Sequence, residues 1–533
     1  MKINKFTSLF ATCLLMGLTA CSNDNVSDAD SSNSAENKDL TGKTSFSITS
    51  EAKTRTSGVY DGSGVDFYWT TNDNIWVNSG SATSPTLTAS SSNNITSTTA
   101  SAKFYFDGTY TAESYPVRYT GKANPSGNTV TIATSQNQDV ANNATQLGTV
   151  GDCGVGTATR QTDGSYEFTL NHKASYITFM PYYSKEALDA SAVVTQINVT
   201  AANGDTLAGT FNFSDNGLGT AISSSSNSVT LTLNGTSSTT GFPIPITATA
   251  SKNAAIMVVA PGTYSTFKVT YTLYDSVTGT NSTISYTYSN IKCDAGKNQK
   301  ISTDLGMATY TSRKSNYYMW DAKSNYWDGF ANSQPLLNNH VSTDYAKSSA
   351  DSRWYNTAFT KNVQTKAINS CKDAPTFEAL TWYIGGGSPQ LDNKTLWVFA
   401  NHLYAGGIWL KKKNKISHFS STESYTGKAA WDSGADIPFN VAISGKPASS
   451  VRGDYFYLPA LGQYKNGKLI DLGKKGYYWA STPNPVNNGP ESAGYGNVIS
   501  ANCLRFGLNT QSDNVYVRNY YERYVGMQVQ AFE

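Results

Sequence analysis

The sequence predicts a mainly β protein, in which two tandem β-sandwich domains are followed by an α+β domain. Three observations support this. The 533 residues are too many for one hydrophobic core, so about three domains are expected. Tyrosine (34 residues) and glycine (43) are abundant, as in secreted β-proteins, since aromatic side chains suit a pleated surface. Short alternating apolar runs fill the chain to about residue 305, and Gly- and Trp-rich sequence follows them.

The N-terminus predicts lipid attachment. Two lysines precede an apolar stretch, Phe6–Leu18, that is too short to span a bilayer. Leu18–Cys21 (LTAC) matches the lipobox of bacterial lipoproteins, which are cut before the cysteine and acylated on its thiol. We therefore expect a signal peptide over residues 1–20, a palmitate-type acyl chain on Cys21 and a precursor held to the cell outer membrane, at about 0.8 kcal/mol per buried methylene. The alternative is an ordinary secretion signal with a chance cysteine.

Residues 21–43 are expected to be a flexible acidic tether, because this polar stretch has no aromatic residue and cannot bury enough surface to order itself. Residues 44–306 are expected to form the two sandwiches. A glycine cluster at 148–156 places the boundary, with one domain over 44–150 and the second over 151–306. The strand signals are Val65–Trp69, Ile75–Val77, Lys103–Phe106, Val130–Ile132, Tyr166–Phe179, Ile256–Val259, Phe267–Leu273 and Ser285–Tyr288.

The last third of the chain changes character. A linker is predicted over 307–330 and an α+β domain over 331–533. Helix-like stretches appear for the first time at Ala350–Ser370 and Phe377–Ile384. Five of the ten tryptophans lie between residues 382 and 479, within Gly-rich sequence.

Composition argues against several function classes. A net charge of +2 with 15% charged residues gives no reason to expect a nucleic-acid partner. Only four histidines are present, which disfavours a multi-histidine metal site and general base chemistry. No nucleophile elbow, zinc-protease motif or phosphate-binding glycine loop occurs. We therefore expect no enzyme, no catalytic residue, no cofactor and no metal.

Seven spaced patterns run through the two predicted sandwiches. They are Phe67-x-Trp69-x3-Asp73-x-Ile75-x-Val77, Ala102-x-Phe104-x-Phe106, Tyr115-Pro116-x4-Gly121, Gln136-x-Gln138, Phe168-x-Leu170-x-His172-x2-Ser175-x-Ile177-x-Phe179, Pro261-Gly262-x-Tyr264 and Gly296-x2-Gln299-x-Ile301. Together they resemble the fimbrillin family, the subunits of type V pili. The resemblance implies transthyretin-like pilin sandwiches, in which these positions face the core. His172 is expected to be a satisfied polar residue of a sheet.

Six patterns follow in the last domain. They are Cys371-x3-Pro375-Thr376-x-Glu378, Gly406-Gly407-x-Trp409, Phe456-x-Leu458-Pro459-Ala460-x-Gly462, Gly476-Tyr477-Tyr478-Trp479-x-Ser481-Thr482, Cys503-x-Arg505-Phe506 and Gly526-Met527-x-Val529. They resemble the C-type-lectin-like domains of bacterial surface proteins, which are related in fold to formylglycine-generating enzyme.

The pilin resemblance implies a polymerisation mechanism. In type V pili a trypsin-like protease cuts the lipoprotein precursor after a basic residue and so removes an N-terminal strand. A strand of the next subunit then fills the groove by β-augmentation. Arg55, with Thr56 after it, is the expected cleavage point, and Lys53 and Arg160 are poorer alternatives. A solvated basic residue beside a strand end is the other interpretation of Arg55.

The resemblance also implies a position for the subunit. Donor strands of stalk pilins come from the C-terminus, whereas residues 526–533 read as the final strand of the lectin-like domain. We therefore expect a minor tip subunit of a surface fimbrium, whose partners are other pilin subunits. The alternative is a lipid-anchored surface glycan-binding lipoprotein that never polymerises.

A loop after Trp479 is the candidate ligand-binding site. Aromatic faces and amide or carboxylate side chains recognise sugars, and a host or bacterial surface glycan or protein is the expected ligand. The loop lacks the Glu-Pro-Asn and Trp-Asn-Asp signatures of calcium-dependent sugar binders. Four cysteines follow Cys21 and allow three pairings. Cys371 with Cys503 would stay within the last domain, either as a disulfide or as buried thiols. The loop's candidate residues are Trp479, Asn484, Asn487, Asn488, Glu491 and Tyr495.

Overall fold

The computed structural model describes residues 40–48, 57–122, 124–235, 240–358, 366–428, 437–440, 443–484, 500–508 and 514–533. The contacts between residues divide the chain into two units, Met1–Gly42 and Lys43–Glu533. All the sheets of the described residues lie in the second unit. Strands dominate these residues, so the predicted mainly β class is confirmed.

The first sandwich is built on a nine-stranded sheet. Its order is β5-β4-β8-β11-β12-β1-β7-β6, with β13 paired to β11, and β2 and β3 form a separate hairpin. Alternate side chains of the large sheet fill an aromatic core that includes Phe46, Trp69, Phe104 and Tyr166. The elements of this part of the chain are β1 Lys43–Ile48, β2 Ser57–Tyr60, β3 Val65–Tyr68, β4 Trp76–Asn78, β5 Leu87–Ala89, β6 Ser92–Asn93, β7 Ala102–Asp107, β8 Ser114–Tyr119, β9 Thr129–Ile132, β10 Ser135–Gln138, α1 Leu147–Val150, β11 Gly154–Arg160, β12 Tyr166–Glu167 and β13 Asn171–His172.

The second sandwich consists of three sheets around one large core. A six-stranded sheet has the order β10-β18-β15-β21-β22 with β19 at the side, and two three-stranded sheets are β20-β14-β23 and β17-β16-β9. The elements are β14 Ser175–Tyr182, β15 Ala192–Ala201, β16 Ala208–Ser214, β17 Gly217–Ser226, β18 Ser228–Leu233, β19 Phe242–Pro243, α2 Ala250–Asn253, β20 Ala255–Val259, β21 Gly262–Asp275, β22 Thr280–Cys293 and β23 Asn298–Asp304.

The predicted boundary at residue 150 is not where the sandwiches separate. Strands β9 and β10 precede it but pair with β16 and β18 of the second sandwich, whereas β11 and β12 follow it and complete the first sheet. The glycine cluster that suggested a domain boundary is a place where two chain segments pack closely against each other. Gly151 has φ 121°, and a Cβ there would lie 2.6 Å from the Cα of Ile132. The glycines therefore allow close backbone approach at this point.

The predicted linker over 307–330 belongs to the last domain. Strand β24 (Ala308–Thr309) lies parallel to β26, and β25 (Tyr317–Tyr318) pairs with β36. Trp320 and Trp327 are buried. Aromatic residues of this density fill a core, which explains why the stretch cannot serve as an exposed connection.

The last domain has a five-stranded sheet, a six-stranded sheet and a hairpin. Their orders are β24-β26-β27-β30 with β29 at the side, β25-β36-β33-β34-β35-β28, and β31-β32. The core of the second sandwich extends into this domain through Leu396, Val398 and Leu403. The remaining elements are α3 Phe377–Gly385, β26 Gln390–Phe399, β27 His402–Lys411, β28 Ile437–Asn440, β29 Ile443–Ser444, β30 Tyr455–Pro459, β31 Leu461–Lys465, β32 Lys468–Leu472, β33 Lys475–Asn484, β34 Ser500–Gly507, β35 Asn514–Glu522 and β36 Met527–Gln528.

One of the two predicted helices is present. Helix α3 begins at the Pro-Thr pair, where the Thr376 hydroxyl accepts a hydrogen bond from the Ala379 N–H at 3.1 Å. The described parts of 350–370 are turns and loops, and Asp321 accepts backbone N–H groups of Ile368 and Asn369 there. Bonds to this carboxylate replace the i to i−4 bonds that a helix would need. Among the described residues no helix is long and apolar enough to cross a membrane.

Candidate functional site

Strand β1 lies inside the first sheet, not at its edge. It runs antiparallel to β7 over six residue pairs, from Lys43 opposite Asp107 to Ile48 opposite Ala102. On its other side it runs parallel to β12, with Phe46 opposite Tyr166. Its removal would therefore divide the sheet and leave two rows of open backbone donors and acceptors.

The side chains of β1 alternate between the surface and the core. Phe46 is fully buried and Ile48 is 2% exposed, while the neighbouring residues are partly exposed. The Phe46 ring stacks on Tyr166 with centroids 4.6 Å apart, and meets Phe106 edge-on at 4.9 Å. The rings of Tyr110 and Tyr115 also pack around Phe46, with their centroids 5.4 and 6.4 Å from its own.

Burial of an aromatic or branched aliphatic side chain is worth about 1.5–3 kcal/mol, so two such residues anchor the strand by about 3–6 kcal/mol before entropy is counted. The pocket around Phe46 is the main determinant of register. A strand shifted by one residue would place its polar side chains in that pocket. We call the channel between β7 and β12, floored by this aromatic group, the β1 groove.

The next described strand after β1 belongs to another sheet. Strand β2 begins at Ser57 and pairs with β3 in a different sheet. The expected cleavage point, Arg55 with Thr56, and the alternative Lys53 lie between these strands and outside the described residues. The other alternative, Arg160, is exposed at the end of β11, but eleven described strands, β1 to β11, lie on the N-terminal side of a cut after it. A cut there would remove most of the first sheet.

The candidate ligand residue Trp479 is part of the core, so the prediction that it contacts ligand is wrong. Its side chain is fully buried, and its indole N–H donates to the Tyr318 carbonyl at 2.9 Å. The reason is its position on β33, a central strand of the six-stranded sheet. Asn484 ends that strand and is also fully buried. Asn487, Asn488, Glu491 and Tyr495 lie outside the described residues, as does Cys21.

The candidate disulfide between Cys371 and Cys503 is not formed in the structure. Both residues are buried in one cluster, and Cys371 is a thiol. Burial raises the pKa of Cys371 to about 12. The Cys371 sulfur accepts the Asp321 N–H at 3.2 Å, so it is held toward that turn. Of the two states left open by the sequence, the structure shows the buried thiol for Cys371.

His172 is a satisfied polar residue, as predicted. Its Nδ1 lies 2.7 Å from a carboxylate oxygen of Asp152, and its ring stacks on Phe67 at 4.0 Å. The Tyr176 hydroxyl donates to the same carboxylate. Burial, with the Asp152 charge, raises the pKa of Tyr176 well above its usual value. No group of three or more His, Cys, Asp or Glu side chains that could hold a metal ion occurs in the described part of the chain.

Comparisons with known proteins give structural likenesses. No family model and no curated protein matches the chain. A solved structure named "putative cell adhesion protein" from Bacteroides uniformis matches at 13% identity over 49% of this chain and 94% of its own, with a TM-score of 0.29. A fimbrial assembly protein from Parabacteroides distasonis matches at 10% identity over 49% of this chain and 90% of its own (TM-score 0.24). A fimbrial protein from Bacteroides ovatus matches at 11% identity over 56% of each chain (TM-score 0.23).

Proposed function

We propose that this protein is a minor subunit of a surface fimbrium, in which β1 is a temporary strand. Proteolysis after Arg55 frees β1, and a strand of the next subunit takes its place in the β1 groove. The precursor reaches the outer membrane as a lipoprotein acylated on Cys21. The last domain then faces outward at the tip as an adhesive module.

The observation that supports this most is the place of β1 in the sheet. Only six residues are held there, yet they complete a nine-stranded sheet and bury Phe46 and Ile48. A segment that joins two different sheets and contains a basic residue follows at once. A single cut there would leave β1 held by its hydrogen bonds, the ion pair of Lys43 with Asp107 and two buried apolar side chains, with no covalent link to β2, which is the condition for strand exchange.

The tip position is supported by how residues 527–533 are held. Met527 and Gln528 are fully buried in β36, between β25 and β33. The Phe532 ring packs edge-on against Tyr383 and Phe456 at 5.4 and 5.5 Å. These residues could serve as a donor strand only if the core of the last domain opened.

The experiment is uptake of a synthetic strand by trypsin-cut protein. The probe is a labelled peptide with the sequence of residues 41–50, and its control carries serine at the positions of Phe46 and Ile48. We expect the cut chain, after mild denaturant has washed out β1, to bind the probe at least a hundredfold more tightly than the control. Uncut protein should bind neither.

Matched variants test the cut point. Lys53→Gln should leave both cutting and uptake intact, whereas the double variant Lys53→Gln/Arg55→Gln, which has no basic residue left between β1 and β2, should block both. Cut protein that keeps β1 under all native conditions, or binds both peptides equally, would contradict strand exchange and favour the non-polymerising surface lipoprotein.

A further inference from the structure

A cleft in the last domain, lined by none of the residues of the β1 groove, has the features of a ligand site. Its volume is about 390 Å³. It lies between the chain around Tyr310, the paired strands β27 and β30, and the segment that follows β36. We name it the Trp409 cleft. The ring of Trp409 is partly exposed there, beside Tyr457 at 4.8 Å between centroids.

The aromatic wall of the cleft is fixed before any ligand arrives. The Trp409 indole N–H donates to a carboxylate oxygen of Asp392 at 3.0 Å, and the Thr395 hydroxyl donates to the same oxygen. Asp392 is buried, so this bond does not compete with water. A ring held in this way loses little conformational entropy when a ligand stacks on it. The Nζ of Lys446 lies 5.8 Å from the centroid of this ring, and the part of the ring that remains exposed suits the apolar face of a pyranose ring.

The charged residues that line the cleft are Arg313, Lys412 and Glu533, and further lysines flank Lys412 in the sequence. Residues 411–415 read Lys-Lys-Lys-Asn-Lys, and Lys411 lies opposite Tyr455, a lining residue, in the β27–β30 ladder. Lys412 pairs with Glu533 at 3.0 Å, and Lys415 with Asp454 at 2.9 Å. Lys411 and Lys413 have no ion pair with any described residue.

Arg313 is a further cation of the cleft and belongs to the chain segment around Tyr310. It lines the cleft and has no ion pair with a described residue. Tyr310 lines the cleft as well, and burial raises its pKa to about 12, while the charge of Arg313 opposes that rise. A guanidinium can bind a carboxylate through two parallel hydrogen bonds.

We infer that the Trp409 cleft binds an acidic glycan, a pyranose bearing a carboxylate, with the ring on Trp409 and the carboxylate on Arg313. Lys411 and Lys413 attract the neighbouring charges of such a chain. The inference deepens the proposed function, because it gives the adhesive domain a ligand class. It does not depend on strand exchange.

The test uses the full chain and two acidic probes. These are polygalacturonate and a sialylated oligosaccharide, each beside its neutral counterpart made by carboxyl reduction or desialylation. We expect at least one acidic probe to bind at least tenfold more tightly than its neutral form, and to weaken as salt rises. The arm that binds identifies the source of the carboxylate. Equal binding of both forms, or no binding, would overturn the inference.

Variants locate the site. Arg313→Gln and the double variant Lys411→Gln/Lys413→Gln should each weaken the acidic probe at least tenfold. Lys268→Gln/Lys300→Gln removes the same charge from an exposed surface of the second sandwich and should change binding less than twofold. Trp409→Ala should abolish binding, with thermal unfolding recorded as a check on folding. Equal losses in the Arg313 variant and the control pair would show general charge attraction and overturn the site.

Strand uptake by the same preparations separates the two proposals. A chain that takes up the β1 peptide but ignores both acidic probes overturns the Trp409 cleft alone. A chain that binds an acidic glycan but fails to exchange β1 leaves the cleft standing and removes the fimbrial proposal.

Discussion

The first and the last strand of the described chain are held in opposite ways. Strand β1 is regular: six residues, two neighbouring strands and one aromatic pocket. Strand β36 has only two residues, but the chain around it is anchored by Val525, Met527 and Phe532, which are buried. A regular strand can be replaced by any segment of matching alternation, because backbone bonds do not depend on sequence. An irregular segment held by buried side chains cannot be replaced in this way, because a replacement would have to match each of those side chains. The proposed strand exchange therefore suits β1 and does not suit β36.

The largest expected effect tests the exchangeable end. Phe46→Ala should lower the free energy of unfolding of the uncut chain by about 3–5 kcal/mol, since it leaves a cavity among Tyr166, Phe106 and Tyr110. Denaturant titration measures it. After cutting and uptake of the wild-type peptide, the same variant should regain wild-type stability, because the residue has left with β1. A loss that persists would show that β1 had not been replaced.

The permanent end should respond less and without rescue. Phe532→Ala should lower the free energy of unfolding by about 3 kcal/mol, because its ring contacts Tyr383 and Phe456 but is 9% exposed. Neither cutting nor the β1 peptide should restore it. Recovery on peptide addition would mean that the two ends are coupled, and would weaken the contrast between them.

Acid should act on the last domain through Asp392. Burial opposes ionisation of this carboxyl, but hydrogen bonds from Thr395 and Trp409 outweigh it and lower the pKa. The folded-state pKa therefore lies below the unfolded value of about 3.9. The stabilisation is complete above about pH 4 and is lost as the pH falls through the folded-state pKa. Asp392→Asn should cost about 1–3 kcal/mol at pH 7 and flatten the acid limb of a stability–pH curve. An unchanged acid limb would contradict this.

Many strands of the first two domains could be predicted, because apolar and polar residues alternate along them. The patterns at Val65–Trp69 and Lys103–Phe106 correspond to β3 and β7 within a residue or two. The run Tyr166–Phe179 was predicted as one strand signal but divides into β12, β13 and β14, which belong to two different sandwiches. The alternation indicates which side chains of a strand point to the core, but it does not indicate the sheet to which the strand belongs. That choice depends on distant partners.

The last domain was harder to predict because its core is built from aromatic residues in irregular segments. The density of Trp and Tyr over 307–330 and at Trp479 fits a core and a ligand surface equally well in sequence. Burial alone decides between them, and it places Trp479 inside and Trp409 partly outside. The basic run at 411–415 can be read directly from the sequence, but the net charge of the whole chain, which is only +2, gives no sign of it. Its meaning depends on Arg313, about a hundred residues earlier, which the fold brings to the same cleft.

Removal of β1 by a cut after Arg55 can be tested by N-terminal sequencing of this protein from sheared surface filaments. We expect a chain that begins at Thr56, with no acyl group and with residues 43–48 absent. A filament-bound chain that begins at the acylated Cys21 and retains β1 would contradict it.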